Sequence, residues 1–137
     1  MTLTGPAAAP RGRADVELRV PADSAYVSVL RTTAAGLAAR LDFTLDDIED
    51  LRMAVGEACA MVLDAAGDGA DVTAQFWLGQ RTITVQVSAP GSAPVQEKDD
   101  FAWQVLTTLA SDAAIETADG LFAITLLLTA APLETGT

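Results

Sequence analysis

At 137 residues the chain is long enough to bury a real core and has the length of one domain. Half of its residues are hydrophobic, mostly Ala, Leu and Val with few aromatics, which suits helices packed on a sheet and excludes a disordered chain. The formal charge of −11, with Lys98 as the sole lysine, excludes the phosphate-neutralising surface that direct nucleic-acid binding needs.

Residues 1–13 read as a Pro/Ala/Gly-rich leader and 131–137 as a short polar tail, both expected to be disordered, around one domain over 14–130 without internal repeats. ADVELRV places Val16, Leu18 and Val20 on one side of a half-buried strand that Pro21 ends. A helix follows, with Asp23 or Ser24 as its cap and Val27, Leu30, Ala34, Leu37 and Leu41 as its core face. Tyr26, Val29, Thr33 and Gly36 widen its apolar surface, so a second side is covered either by a partner subunit or by another helix of the same domain.

The run TLDD supplies Thr44 and Asp47 in the spacing of a capping box, and a second helix starts there. Its core positions are Ile48, Leu51, Val55, Ala58, Cys59 and Val62, while Asp50, Met53, Glu57, Met61 and Asp64 fall toward the other side. Gly67 and Gly69 end the helix. DVTAQFWL then alternates Val72, Ala74, Phe76 and Leu78, and TITVQVS pairs back across a Gly79–Gln80 turn. A Pro/Gly/Ser-rich loop over 89–95 and the charged QEKDD lead into a helix over FAWQVLTTLA, which Asp99 or Asp100 can cap. AAIET and LFAITLLLT flank Asp119–Gly120, a hairpin signal. This order predicts an α/β (α+β) two-layer sandwich: a mixed, mostly antiparallel sheet of about five strands with helices on one face.

The acidic surface either favours a basic protein partner or only keeps the chain soluble. With Cys59 the single cysteine and no histidine, an intrachain disulfide, the usual zinc ligand sets and His-based catalysis are excluded. MTLTGPAAAPRGR has two arginines but no apolar block after them, and no stretch reaches membrane-spanning length. The expectation is a cytoplasmic protein without membrane contact.

LDFTLDDIEDLRMAVGEACAMVLDAA resembles the second helix of the serine-kinase anti-sigma factors in the histidine-kinase/Hsp90-like ATPase superfamily, where an acidic run precedes A-V-x-E-A-C-T-N-A and then His-Ala. FAWQVLTTLASDAAIET with GLFAITLLLT resembles that family's last helix and strand pair, most closely in the actinobacterial branch. The resemblance covers roughly residues 14–130 and implies that superfamily's fold. It also implies that Glu57 occupies the place of the general base acting on a protein hydroxyl. Met61 stands where the family asparagine holds magnesium, a hard cation that needs an oxygen ligand and not a thioether. Ala60 and Ala65 stand in for the flanking threonine and histidine.

The family's D-x-G-x-G, whose aspartate accepts the adenine amino group, matches SAPGS, with Ser88 at the aspartate and Pro90 and Ser92 at the glycines. Its phosphate-cradling G-x-G matches Asp100, Phe101 and Ala102, where a carboxylate meets the position of the triphosphate. Metal ligand, base recognition and phosphate cradle are separate requirements of phosphoryl transfer. The expectation is therefore no nucleotide-binding residues, no metal and no cofactor, ATP and magnesium entering only if kinase activity is retained. In that case Glu57 is catalytic; otherwise it is an exposed helix carboxylate or a partner contact.

The family holds a sigma factor with the outer surface of the first helix and adjoining parts of a dimer. Arg31 matches an arginine of that surface, and Val27 and Ser28 lie beside it; the other reading of Arg31 is a solvated helix arginine. The implied function is an anti-sigma factor that sequesters an alternative sigma factor as a homodimer and is released by an anti-anti-sigma (STAS-type) protein. The alternatives are a divergent serine kinase acting on that anti-anti-sigma protein, and an interaction protein with another target.

Overall fold

The computed structural model describes residues 2–4, 12–92 and 101–131. Along the chain run β1 (Thr2–Thr4), β2 (Val16–Pro21), a single 3-10 turn (Ser24–Tyr26), α1 (Val27–Arg40) and α2 (Leu45–Ala65). They are followed by β3 (Asp71–Gly79), β4 (Thr82–Pro90), α3 (Phe101–Leu109), β5 (Asp112–Ala118) and β6 (Leu121–Thr129). The strands form one sheet in the order β1-β5-β6-β4-β3-β2.

Every pairing is antiparallel, so the sheet is not mixed as expected. Tight hairpins join β3 to β4 and β5 to β6, and such connections force antiparallel neighbours. Five strands belong to the expected body; the sixth is β1, which pairs with β5 and corrects the expectation of a wholly disordered leader. Residues 1 and 5–11 of the leader, and the tail beyond Ala131, lie outside the described residues.

Strand alternation sends Val72, Ala74 and Phe76 of β3, and Ile83, Val85, Val87 and Ala89 of β4, toward the helices, all of them buried. Residues between them face the other way, where Gln75 Nε2 donates to Glu17 Oε1 at 3.1 Å and Gln86 Nε2 to Thr125 Oγ1 at 3.0 Å. The last hairpin turns at Asp119 and Gly120 with φ of 54° and 75°, the left-handed pair that a two-residue turn of this hand requires. The first turns one residue later than expected, at Gln80–Arg81, with φ of 60° at Arg81.

The helix α2 lies over the centre of the sheet, with α1 on one flank and α3 on the other. Its start is the expected capping box: Asp47 N–H donates to Thr44 Oγ1 at 3.1 Å and Thr44 N–H to Asp47 Oδ2 at 3.3 Å. The same Asp47 Oδ2 accepts from the Ala131 N–H at 2.9 Å, and Arg81 reaches both the Ala131 and Asp42 carbonyl oxygens. One carboxylate thus ties the head of α2 to the chain just after β6. Asp23 caps the 3-10 turn before α1, accepting from the Ala25 N–H at 2.9 Å.

Candidate functional site

Two flanks of α2 carry the candidate residues. Each residue advances about 100°, so Gly56 and Cys59 fall on one flank and Asp50, Glu57 and Met61 on the opposite one. The first flank meets α1. A methyl group at Gly56 would stand 3.3 Å from Arg31 Cδ and 3.7 Å from Arg31 Nη1, so the arginine stem lies across α2 where that helix has no side chain. Arg31 Nε is enclosed there with no hydrogen-bond partner among the described residues. Beneath it, burial pushes the Cys59 thiol up to about 12, against the opposing pull of the Arg31 guanidinium, so Cys59 stays protonated and inert at neutral pH.

Arg31 is therefore half-buried, neither a fully solvated arginine nor a freely projecting one. Ser28 is exposed, and Val27 is half-buried against the core. Tyr26 and Val29 remain 40% and 43% exposed, so no helix among the described residues covers that side of α1.

On the opposite flank Glu57 is half-buried one turn before Met61. Met61 is 3% exposed, which corrects its expected place on the outer side of the helix. The reason is that α3 packs against α2 and extends the buried sector beyond the stripe that periodicity marked, taking in Ala54 and Met61. A flexible, unbranched side chain suits such a gap.

The strand period also corrects the motif placement in β4. Ser88 is buried on the face away from the helices, in register with Thr73 and Ala123, and Pro90 is exposed. A group meant to reach a ligand under the helices has to sit in phase with Val85 and Val87, and the residue there is Ala89, 1% exposed. The first glycine of the motif then coincides with Gly91. That residue is glycine for a reason the structure makes plain: an added Cβ would stand 1.9 Å from the Ala65 carbonyl oxygen, where β4 meets the end of α2. Gly91 bridges to Ala66, and its N–H donates to the Gly120 carbonyl at 2.9 Å. The two-residue period alone would have found this phase.

Asp99 and Asp100 lie outside the described residues. Phe101 opens α3 with 77% of its surface exposed, and Ala102 packs partly on the core. The side chains of Met61, Ala89 and Ala102 thus offer a thioether and two methyl groups where magnesium-bound nucleotide needs an oxygen ligand, an acceptor and a bare backbone. The donor set does not fit that cofactor.

Helices on one face of an antiparallel sheet, with an acidic-started central helix carrying Glu57, define a histidine-kinase-like ATPase domain. The family model described as Histidine kinase-like ATPase domain matches residues 20–121, and the chain belongs to that family. Within it, the chain is similar to the serine-protein kinase RsbW of Halalkalibacterium halodurans, 42% identical over 79 residues that make up 57% of this chain and 49% of the relative. It is also similar to serine-protein kinase RsbW of Bacillus cereus, 36% identical over 78 residues, 56% of this chain and 49% of the relative. The chain thus spans about half the length of the curated relatives it matches. A crystal structure of the RsbU and RsbW domains of Rv1364c from Mycobacterium tuberculosis shares the fold, with a TM-score of 0.66 at 18% identity over 89% of this chain and 35% of that one.

Proposed function

We propose that this chain is an anti-sigma factor that acts by occupancy: as a homodimer it sequesters an alternative sigma factor, an anti-anti-sigma protein releases it, and ATP binding and kinase activity are lost. The observation that carries this reading is Met61, sealed in the core at 3% exposure where the resemblance calls for a magnesium ligand. Ala89, the helix-facing residue at the end of β4, supports it, because a methyl group accepts no hydrogen bond from a base. The face of α1 that carries Val27, Ser28 and Arg31 is the surface offered to the sigma factor. Among the described residues no helix is long and apolar enough to cross a membrane, and a cytoplasmic location accords with a target bound to RNA polymerase.

Isothermal titration of the chain with Mg-ATP is expected to give no heat of binding, while the cognate sigma factor is captured in the same buffer. Arg31→Glu is expected to weaken that capture by about tenfold or more, with an unchanged circular dichroism spectrum, since reversing a buried interface charge costs several kcal/mol. Micromolar Mg-ATP binding that disappears in Glu57→Ala would overturn the reading. It would favour the second one, a divergent serine kinase acting on the anti-anti-sigma protein. Two observations speak for that alternative: Glu57 is present and only half-buried, and the relatives' name is serine-protein kinase. Labelled ATP leaves phosphate on a serine of the anti-anti-sigma protein only if the alternative holds.

A further inference from the structure

The flank of α2 away from Arg31 bears a surface that the reading above does not use. Between α2 and α3 lies an open groove of about 270 Å³, lined by Met53, Phe101, Gln104, Val105, Thr108 and Leu109. Met53 is 51% exposed and Phe101 77%, so two large apolar side chains line the same groove at the surface.

Among the described residues the charges beside Met53 that have no ion-pair partner are all negative. Residues three and four positions apart are neighbours on a helix surface, so Glu49 and Asp50 flank Met53 on one side and Glu57 on the other. The nearby Arg52 is engaged with Glu49 at 3.7 Å, and no ion pair to Asp50 or Glu57 occurs among the described residues. The helix α3 carries no charged residue. An apolar floor with a negative rim, on a chain of net charge −11, is complementary to an apolar stripe flanked by lysines or arginines, whose methylene stems can cover the floor while their heads meet the carboxylates.

The walls decide the form of the ligand. Both are helices, which present no strand edge to the groove, so it engages an added segment through side chains. A second copy of this chain is disfavoured, because it would bring an equally acidic rim against this one. We infer that the groove between α2 and α3 docks a basic amphipathic helix of a partner protein. The inference holds whichever protein occupies the α1 face, because the two surfaces lie on opposite flanks of α2.

The test uses the full chain and a fluorescein-labelled synthetic helix of roughly 15 residues, with a leucine stripe flanked by lysines. Anisotropy is expected to report saturable binding, weakened about tenfold or more by Met53→Asp and by the double substitution Asp50→Lys with Glu57→Lys. Asp112→Lys with Glu116→Lys, the same charge change on β5, is expected to leave affinity within about twofold. Hydrogen exchange is expected to slow over α3 and the middle of α2 when the peptide binds, a readout that does not depend on any variant folding. No binding, equal weakening by the β5 pair, or protection elsewhere would overturn the inference. So would a dimer that becomes a monomer in Met53→Asp, since the groove would then join two copies of this chain.

Discussion

Gly91→Ala is expected to lower stability by about 3 kcal/mol, read as a drop of roughly 10 °C in the unfolding midpoint. The new methyl would stand 1.9 Å from the Ala65 carbonyl oxygen and 2.7 Å from its carbon. Both are backbone atoms in the last turn of α2, so neither can swing aside as the end of a side chain can. Relief requires α2 and β4 to part, which also strains the Gly91 N–H bond to Gly120 and the Gly67 N–H bond to the Pro90 carbonyl. Gly36→Ala has the opposite sign. No atom lies within 4 Å of its added Cβ in α1, and alanine in an exposed helix interior is expected to stabilise by about 1 kcal/mol. Thermal unfolding of the two variants side by side tests the close approach, and equal midpoints would show that it does not exist.

Asp47→Ala is expected to cost about 2 to 3 kcal/mol, since it removes a helix cap and a charge-assisted hydrogen bond at once. The Ala131 N–H, foremost, holds the Asp47 carboxyl below its ordinary range, aided by the Thr44 hydroxyl and N–H and by the Arg81 charge, against the opposing effect of burial. The sign follows directly. A carboxyl whose folded pKa is depressed binds its proton more readily in the unfolded chain, so its contribution is complete above about pH 4 and fades as the pH falls through the folded value. Urea midpoints of wild type and Asp47→Ala should therefore differ most at neutral pH and converge toward pH 2. Asp47→Asn retains an acceptor for Ala131 and is expected to lie between them. A gap that stays constant across this range would mean that the charge of Asp47 contributes nothing.

Periodicity made most of the fold legible. The strands of β3, β4 and β6, the capping box and the Asp119–Gly120 turn lie where local chemistry dictates, and the two-layer arrangement follows from them. What stayed hidden depends on contacts between distant segments. The pairing of β1 with β5 joins residues more than a hundred positions apart, and nothing in TLT announces it. The burial of Met61 comes from the packing of α3 on α2, which one helix's stripe does not contain. Arg31 reads as a surface cation until Gly56 opens a trough for its stem. The placement of Ser88 failed for a different reason: matching a motif by residue count overrode the two-residue period, which puts Ala89 under the helices.

The strand order also bears on how the chain is made. β6, the last strand among the described residues, takes a position in the middle of the sheet between β4 and β5. Until the ribosome releases residues 121–129, β4 has one unsatisfied edge and the apolar underside of α2 has only part of its floor. A nascent chain stalled before that point leaves both exposed, and unpaired strand edges seed aggregation. Truncations upstream of Leu121 should consequently yield insoluble product, not a smaller folded domain.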